Sequence, residues 1–288
     1  MKQSRKLSFL FTVIVYALAL AVGMYVFDRA RGSIYFRVFA ADVAATVFLY
    51  LISLPLDNAS VYDPYWSVAP IVILPIFVSA FGVWNAGTIA LVGCVLYWGI
   101  RLTANWAYTF HGYNHQDWRY SMLREKAGTL YPVVSLFGIM LFPSLVVYLC
   151  LLPALHYVQV GGVNWITILG FALCLSAATL QLVADIQLHR FQLRAANRGQ
   201  IIRSGVWRHA RHPNYLGEIL MWWGVYAVLV SVQPKLWFLG FGALVNTLMF
   251  LFISIPMAET RMAGYKEGFD RYVQETNRLL PIAIKRHS

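Results

Sequence analysis

Eight long runs of apolar residues constrain this chain more than any other feature, because each approaches the length of helix that crosses a bilayer. They lie at 7–27, 36–56, 67–83, 86–100, 132–152, 165–184, 215–232 and 236–255. The third and fourth are short, and the others have roughly the 20 residues that a spanning helix needs. Only 12% of the residues are charged, against about 25% in a typical soluble domain. The pattern predicts an all-α, polytopic membrane bundle of about seven or eight transmembrane helices.

The polar connections between the apolar runs differ in charge. Those at 101–131, 187–213 and from 256 onward are basic or mixed, whereas 153–164 contains no Asp, Glu, Lys or Arg. The positive-inside rule therefore predicts that the first three segments lie in the cytoplasm. Three arginines between residues 29 and 37 oppose this orientation, so charge does not set the direction of the first span.

The N-terminal segment reads as a retained anchor. Met1–Lys6 is basic and precedes an apolar run long enough to span, which is not typical of a cleaved signal. We expect residues 1–30 to form an extra transmembrane helix before one membrane domain at 31–288. The three cysteines lie inside apolar runs without metal-ligand spacing, so no metal site is predicted.

The net charge of +11 is concentrated in one connection. Between Gln187 and Pro213 there is no acidic residue, and the arginines are Arg190, Arg194, Arg198, Arg203, Arg208 and Arg211. Positive-inside bias and a site for an anionic ligand both explain this bias, and both can hold. Nucleic acid is not an expected partner, because these cations lie between membrane spans and not on a soluble domain.

The motif that follows this basic segment begins the seventh apolar run. Pro213 suits the first position of a helix, where its missing N–H costs nothing. The free N–H groups of that turn, beside Arg211 and His212, favour an anion. Asn214 and Glu218 are four residues apart and share a helix face. We interpret the motif as a site for a phosphate-bearing ligand. The alternative, an ordinary basic flank, leaves unexplained a carboxylate one turn into an apolar run.

Two further polar clusters lie beside predicted spans. Asp185 and His189 share a helix face at the end of the sixth run, where Asp185 can pair with an arginine or accept hydrogen bonds from a ribose or amide. After the fourth run, Arg101 and Asn105 precede the segment 115–120, which is dense in planar donors and aromatic rings. Aromatic belts explain some of these rings. The charged residues among them favour a cytoplasmic loop that caps a ligand.

Acidic and aromatic residues at the third and fourth runs are candidates for acid catalysis. Asp63 precedes Tyr65 at the start of the third run, and a carboxyl group entering an apolar cavity can become a proton donor. Asp-Pro also commonly begins a turn. Tyr97 and Trp98, late in the fourth run, could face the same cavity. Asp42 lies within the second run, where an acid is a functional candidate by default, although the sequence names no partner for it.

Several of these motifs resemble the steroid 5-alpha-reductase superfamily. They are His212-Pro213-Asn214-Tyr215-x-Gly217-Glu218, Gly205-x-x-Arg208, Asp185 and the Tyr272…Leu280-Pro281 ending. More narrowly, Asp63-Pro-Tyr-Trp-Ser, His115-x-Asp-Trp-Arg-Tyr and Arg-His-Pro-Asn-Tyr resemble a bacterial branch known as the domain of unknown function DUF1295. The resemblance covers most of the chain after the first span. It implies a multi-spanning reductase that uses NADPH to reduce a C=C bond conjugated to a ketone in a steroid-like lipid.

Residue by residue, the resemblance implies the following roles. The cofactor-binding asparagine and glutamate fall on Asn214 and Glu218, and the remaining cofactor-binding positions fall on Asp185, Arg101, Arg261 and Tyr272. The proton-relay glutamate of the steroid enzymes lands within a residue of Asp63. The relay tyrosine lands on Trp98, beside Tyr97. These departures from the family pattern leave the substrate, and even the activity, open.

A related group, the isoprenylcysteine and phospholipid methyltransferases, shares the Arg-His-Pro-x-Tyr-x-Gly turn and binds S-adenosylmethionine. Its members usually carry a Glu-Glu pair after the last span, where this chain has Glu259-Thr260-Arg261. A methyltransferase, or a sterol-binding membrane protein without catalysis, is therefore an alternative to the reductase.

The resulting hypothesis is an NADPH-dependent reductase in the bacterial inner membrane, with cytoplasmic loops that cap a cofactor cavity and a lipophilic substrate that enters among the membrane lipids. The candidate catalytic residues are Asp63, Tyr65, Tyr97 and Trp98. The candidate cofactor-binding residues are Arg101, Asn105, Asp117, Trp118, Arg119, Tyr120, Asp185, His189, Arg203, Arg208, Arg211, His212, Asn214, Tyr215, Glu218, Glu259, Arg261 and Tyr272.

Overall fold

A computed structural model describes residues 4–197 and 199–281, and every regular element in these two ranges is helical. The α-helices are α1 (Arg5–Arg29), α2 (Ile34–Leu56), α3 (Tyr65–Phe81), α4 (Ala86–Thr109), α5 (Trp118–Ala127), α6 (Tyr131–Val134), α7 (Phe142–Tyr157), α8 (Trp165–Gln192), α9 (Pro213–Val232), α10 (Phe241–Met249), α11 (Ile255–Ala263) and α12 (Phe269–Glu275). Eight helical stretches are long and apolar enough to cross a membrane. The prediction of an all-α, polytopic integral membrane protein is confirmed.

Two of these stretches are built from several helices. The fifth runs from Trp118 to Tyr157, where the 3₁₀ turn Gly128–Leu130 and the π-helix Ser135–Leu141 join α5, α6 and α7. The eighth runs from Pro234 to Ala263 and contains the π-helix Phe250–Ser254. Both are longer than the apolar runs that predicted them, because amphipathic residues at their ends continue the helix.

The expected loop after the fourth span is largely helical, which corrects the sequence prediction. Helix α4 continues to Thr109, so Arg101 and Asn105 lie within it. No glycine or proline follows Ile100 until Gly112, whose positive φ of 104° suits a turn and not a helix. Helix α5 then begins at Trp118, and the Asp117 side chain caps it by accepting a hydrogen bond from the Arg119 N–H.

The C-terminal tail is divided into two helices. The near-helical spacing of Tyr265, Phe269 and Tyr272 predicts one short amphipathic helix between residues 259 and 278, and this prediction is wrong, because α11 ends at Ala263 and α12 begins at Phe269. Between them, Gly268 adopts a left-handed conformation with φ of 69°, which interrupts a right-handed helix.

The helices form two compact units. Unit 1 comprises the residues up to Trp84 together with Gly99–Val160, and unit 2 comprises Asn85–Trp98 together with the residues from Gly161 onward. In unit 1, α1 packs against α2, and α3 packs against α7. In unit 2, α8 packs along α9. The boundary expected at residue 30 stays a prediction.

Glycines allow α8 and α9 to approach closely. A Cβ added at Gly217 would lie 2.6 Å from the Ala177 carbonyl oxygen, and one added at Gly224 would lie 3.1 Å from the Cys174 amide nitrogen. These separations are shorter than van der Waals contact, and the first obstacle is backbone that cannot rotate away. The pair therefore depends on small residues at the contact, as is usual for helices packed in membranes.

We predict that Gly217→Ala lowers the stability of the folded protein by about 1–3 kcal/mol, the usual cost of inserting a methyl group into a packed interface. The matched control is Gly93→Ala, because a Cβ at Gly93 meets nothing within 4 Å. Thermal unfolding of both variants in detergent measures the difference. Equal melting temperatures for the two variants would contradict the close packing of α8 and α9.

Candidate functional site

In unit 2, the motif at the entrance of α9 is built around one half-buried acid, Glu259. Pro213 occupies the first turn of the helix, and no side chain caps its N-terminus. The Arg211 Nε donates to Glu259 Oε1 at 2.8 Å, and the His212 Nε2 lies 3.0 Å from the same oxygen. Arg211 and His212 are both buried. The two side chains predicted to meet an anionic ligand thus already share a carboxylate of the protein.

The C-terminal tail holds this motif in place. The backbone N–H groups of Arg211 and His212 donate to the carbonyl oxygens of Asn277 and Arg278, at 2.9 and 3.2 Å. The Arg211 guanidinium also donates to the carbonyl oxygens of Val273, at 3.1 Å, and Thr276. The basic segment 187–213 and the tail from residue 256 are therefore in contact, as expected for segments on one side of a membrane.

Tyr272 adds a further connection between the tail and the basic segment. Its hydroxyl donates to the Trp207 carbonyl oxygen at 2.9 Å. Burial raises the pKa of Tyr272 to about 12, so the hydroxyl keeps the proton that this hydrogen bond needs. Arg203 pairs with Glu275 at 2.6 Å. Tyr272 and Arg203, which were predicted to bind a cofactor, contact other parts of the protein.

Glu218 lies at the centre of a buried hydrogen-bond network. Its Oε2 accepts from Trp98 Nε1 at 2.8 Å and from Gln181 Nε2 at 3.1 Å, and its Oε1 accepts from Trp222 Nε1 at 2.9 Å. The side chain is 5% exposed. Three N–H donors satisfy most of a carboxylate's acceptor sites. Trp98, expected beside a substrate carbonyl, therefore directs its N–H to Glu218.

The other predicted residues of unit 2 lie on or near α8, α9 and α11. Asn214 accepts a hydrogen bond from the Tyr215 N–H at 3.0 Å. The Tyr97 hydroxyl lies 3.2 Å from Thr179 Oγ1. The half-buried residues are Asp185, His189, Asn214, Tyr215 and Tyr97, whereas Arg203, Arg208 and Arg261 are exposed. Arg198, one of the six arginines, lies outside the described residues.

In unit 1, the predicted cluster around Asp117 does form. The Arg119 guanidinium donates to both Asp117 carboxylate oxygens, at 2.8 and 2.9 Å. The Tyr120 hydroxyl donates to Asp63 Oδ1 at 2.6 Å. Asp63 is thus fixed by α5. Of the remaining candidates, Arg101 is buried, whereas Asn105 and Trp118 are half-buried.

Tyr65 is paired with a different acid, Asp42. Its hydroxyl donates to Asp42 Oδ1 at 2.8 Å, and both side chains are buried. Asp63 and Tyr65 thus have different partners, and the expectation that they act on one group stays a prediction. Asp42 could be singled out from the sequence as an acid within a span, but only the tertiary structure identifies Tyr65 as its partner.

The Asp42–Tyr65 pair lines an apolar cavity of about 430 Å³ between α1, α2 and α3. The Tyr16 hydroxyl is also at this wall and donates to the Val61 carbonyl oxygen at 3.0 Å. The remaining lining is almost wholly aliphatic or aromatic, with Phe27 and Phe81 among it. The volume is within the range of roughly 300–1,000 Å³ typical of small-molecule sites.

One buried donor in unit 2 was not predicted from the sequence. Asn246 on α10 is 3% exposed, and its Nδ2 has no hydrogen-bond partner among the described residues. It lies about one helical turn before Phe250, whose ring contacts Tyr215 at 4.9 Å between centroids. A buried amide without a partner costs stability and can bind a polar group of a ligand.

These features define a polytopic helical membrane protein with a polar network in each unit and a lipid-sized cavity in unit 1. The chain belongs to the family DUF1295, described as a protein of unknown function, whose model matches residues 49–276. All the predicted site residues lie within that range, whereas Asp42 lies just before it. No curated protein and no solved structure matches the chain.

The His212 site predicts a dependence of stability on pH. Burial lowers the pKa of the imidazole, and the hydrogen bond to Glu259 opposes part of that shift. The folded protein therefore favours neutral His212, whose contribution to stability is complete above about pH 6.5 and is lost as the pH falls through the lowered pKa. The melting temperature should therefore decrease as the pH is lowered through this window. The decrease should be smaller in the His212→Gln variant. The exposed His209→Gln is the control, and an unchanged slope in both variants would remove His212 as the cause.

Proposed function

We propose that this protein is an NADPH-dependent membrane reductase that reduces the C=C bond of a lipophilic, steroid-like enone by hydride transfer. The observation that carries the proposal is the Asp42–Tyr65 pair at the wall of the apolar cavity. A lipid with one ketone can place its apolar body in this cavity. Its oxygen then meets the single proton-donating pair that the described lining offers.

The donor set of unit 2 fits a dinucleotide. The uncapped entrance of α9 and the exposed Arg203 and Arg208 suit phosphate oxygens. The unpaired amide of Asn246 and the half-buried Asp185 suit amide or ribose groups. The bound nucleotide supplies the hydride, and the protein supplies orientation and exclusion of water. The proposal that Asn214 and Glu218 bind the nucleotide rests on the family resemblance. We place the nucleotide on the cytoplasmic side of the bacterial inner membrane.

The acid–base role follows from the pairing of the side chains. Tyr65 donates its hydroxyl proton to the ketone oxygen and so stabilises the enolate that develops there. In this role Asp42, which contacts the same hydroxyl, is protonated; it passes its proton to Tyr65 and takes up another from water, so that each turnover consumes one hydride and one proton. We assign this role to Asp42 and not to Asp63, because Asp63 accepts its hydrogen bond from Tyr120. Asp63 then positions the beginning of α3 against α5.

We predict that NADPH stabilises the purified protein against thermal unfolding and that S-adenosylmethionine does not. At 100 times its Kd a ligand contributes about 2.7 kcal/mol. Arg208→Ala should weaken NADPH binding about tenfold or more, because a charge-assisted hydrogen bond contributes about 1.5–3 kcal/mol. Lys235→Ala removes an exposed cation at the other end of α9 and is the matched control.

The same measurement separates the alternatives. Stabilisation by S-adenosylmethionine alone would replace the reductase with a methyltransferase. A protein that responds to neither nucleotide, yet binds sterols, would be a sterol-binding protein without catalysis. The Glu218→Ala variant cannot by itself test nucleotide binding. It removes the acceptor of three buried N–H donors and so lowers stability even without a ligand.

Turnover of an enone distinguishes the two acids. Tyr65→Phe and Asp42→Asn should lower kcat by about 10²-fold or more, in line with the loss of general acid catalysis, while NADPH affinity is retained. Tyr62→Phe is the control, because the Tyr62 hydroxyl bonds Ser144 and does not line the cavity. If Asp63→Asn loses turnover and Asp42→Asn keeps it, the assignment of the acid is wrong.

A further inference from the structure

The residues that line the cavity in unit 1 include acids and no bases, whereas the chain as a whole is basic. The whole protein carries a net charge of +11, but the only carboxyl groups that line this cavity are those of Asp28 and Asp42. No lysine, arginine or histidine lies among the lining residues. Asp28 is exposed and within reach of water, whereas Asp42 is 6% exposed. Among the lining residues a ligand therefore meets acids and no cation, although the Arg37 guanidinium lies 4.1 Å from the centre of the lining Phe27 ring.

The acid at Asp42 discriminates strongly between types of lipid head group. Two carboxyl groups at close range in an apolar site cannot both be ionised, so a fatty acid would have to take up a proton or remain outside. Burying an unpaired charge carries a large cost. An uncharged oxygen does not meet this barrier, because Tyr65 and Asp42 can donate to a ketone or accept from an alcohol.

We infer that Asp42 makes this cavity selective for uncharged lipids with one oxygen function and excludes fatty acids and other anionic lipids. The inference rests on the proposed function only in taking the cavity as the lipid site. It identifies Asp42 as a determinant of specificity, and it limits the substrates of the reductase to neutral lipids although anionic lipids surround the protein in a membrane.

The test uses the full chain in non-ionic detergent, without nucleotide. The probes are a steroid ketone, the corresponding alcohol and the corresponding carboxylic acid on one skeleton, and binding is measured by native mass spectrometry at neutral pH. We expect the ketone and alcohol to bind and the carboxylate to bind at least about tenfold more weakly, which corresponds to 1.4 kcal/mol. Asp42→Asn should raise carboxylate affinity by about the same factor.

Asp28→Asn is the matched control, since it makes the same chemical change at the exposed end of the cavity and should not admit the carboxylate. Asp42→Ala provides a second variant if Asp42→Asn does not fold. Val72→Trp, which fills the cavity from α3, should abolish binding of the ketone and alcohol. Equal binding of the three lipids to the unmodified protein, or continued exclusion of the carboxylate from both Asp42 variants, would overturn the inference.

The outcome is separable from that of the proposed function. A protein that shows this lipid selectivity but does not bind NADPH would refute the reductase and leave the cavity inference intact. A protein that reduces enones with NADPH and yet binds fatty acids equally well would support the reductase and refute the cavity inference.

Discussion

A charged side chain within a bilayer must find its partners inside the protein, and this constraint determines both polar networks. Glu218 accepts three N–H bonds from Trp98, Gln181 and Trp222. Asp42 Oδ1 accepts a hydrogen bond from the Tyr65 hydroxyl. In water these acids could remain solvated, but in an apolar surrounding each unpaired charge costs several kcal/mol. The helices that carry such acids are therefore restricted to packings that bring a donor to each of them.

The two networks differ in how much capacity remains for a ligand. Around Glu218, three donors use most of the carboxylate's acceptor sites, and the network is enclosed by tryptophan and glutamine. At Asp42, one hydroxyl occupies one oxygen, and the pair faces a cavity. The first arrangement resembles a structural support and the second a binding surface. This contrast is why the proposed chemistry is placed on Asp42 and Tyr65, although Glu218 belongs to the more conspicuous motif.

The number of spans and their helical character could be predicted from hydropathy, because in lipid every backbone group must be satisfied within a helix. Helix ends were less predictable. Arg101 ended a predicted span because it is charged, yet α4 continues to Thr109 since no residue there breaks it. The partners of Arg211 and His212 could not be read from spacing. Glu259 is close to them only because the tail folds back on the entrance of α9.

Asp42 shows most clearly why an acid cannot be assigned by position along the chain. Asp63 is two residues from Tyr65 and matches a family motif, whereas Asp42 is in another helix and before the range that the family model matches. Asp63 lies in the turn before α3, whereas Tyr65 is the first residue of α3, and the Asp63 carboxylate accepts its hydrogen bond from Tyr120. The fold instead brings Asp42, from another helix, within 2.8 Å of the Tyr65 hydroxyl. The acid that can exchange a proton with Tyr65 is therefore set by the tertiary structure, and this acid also lines the apolar cavity.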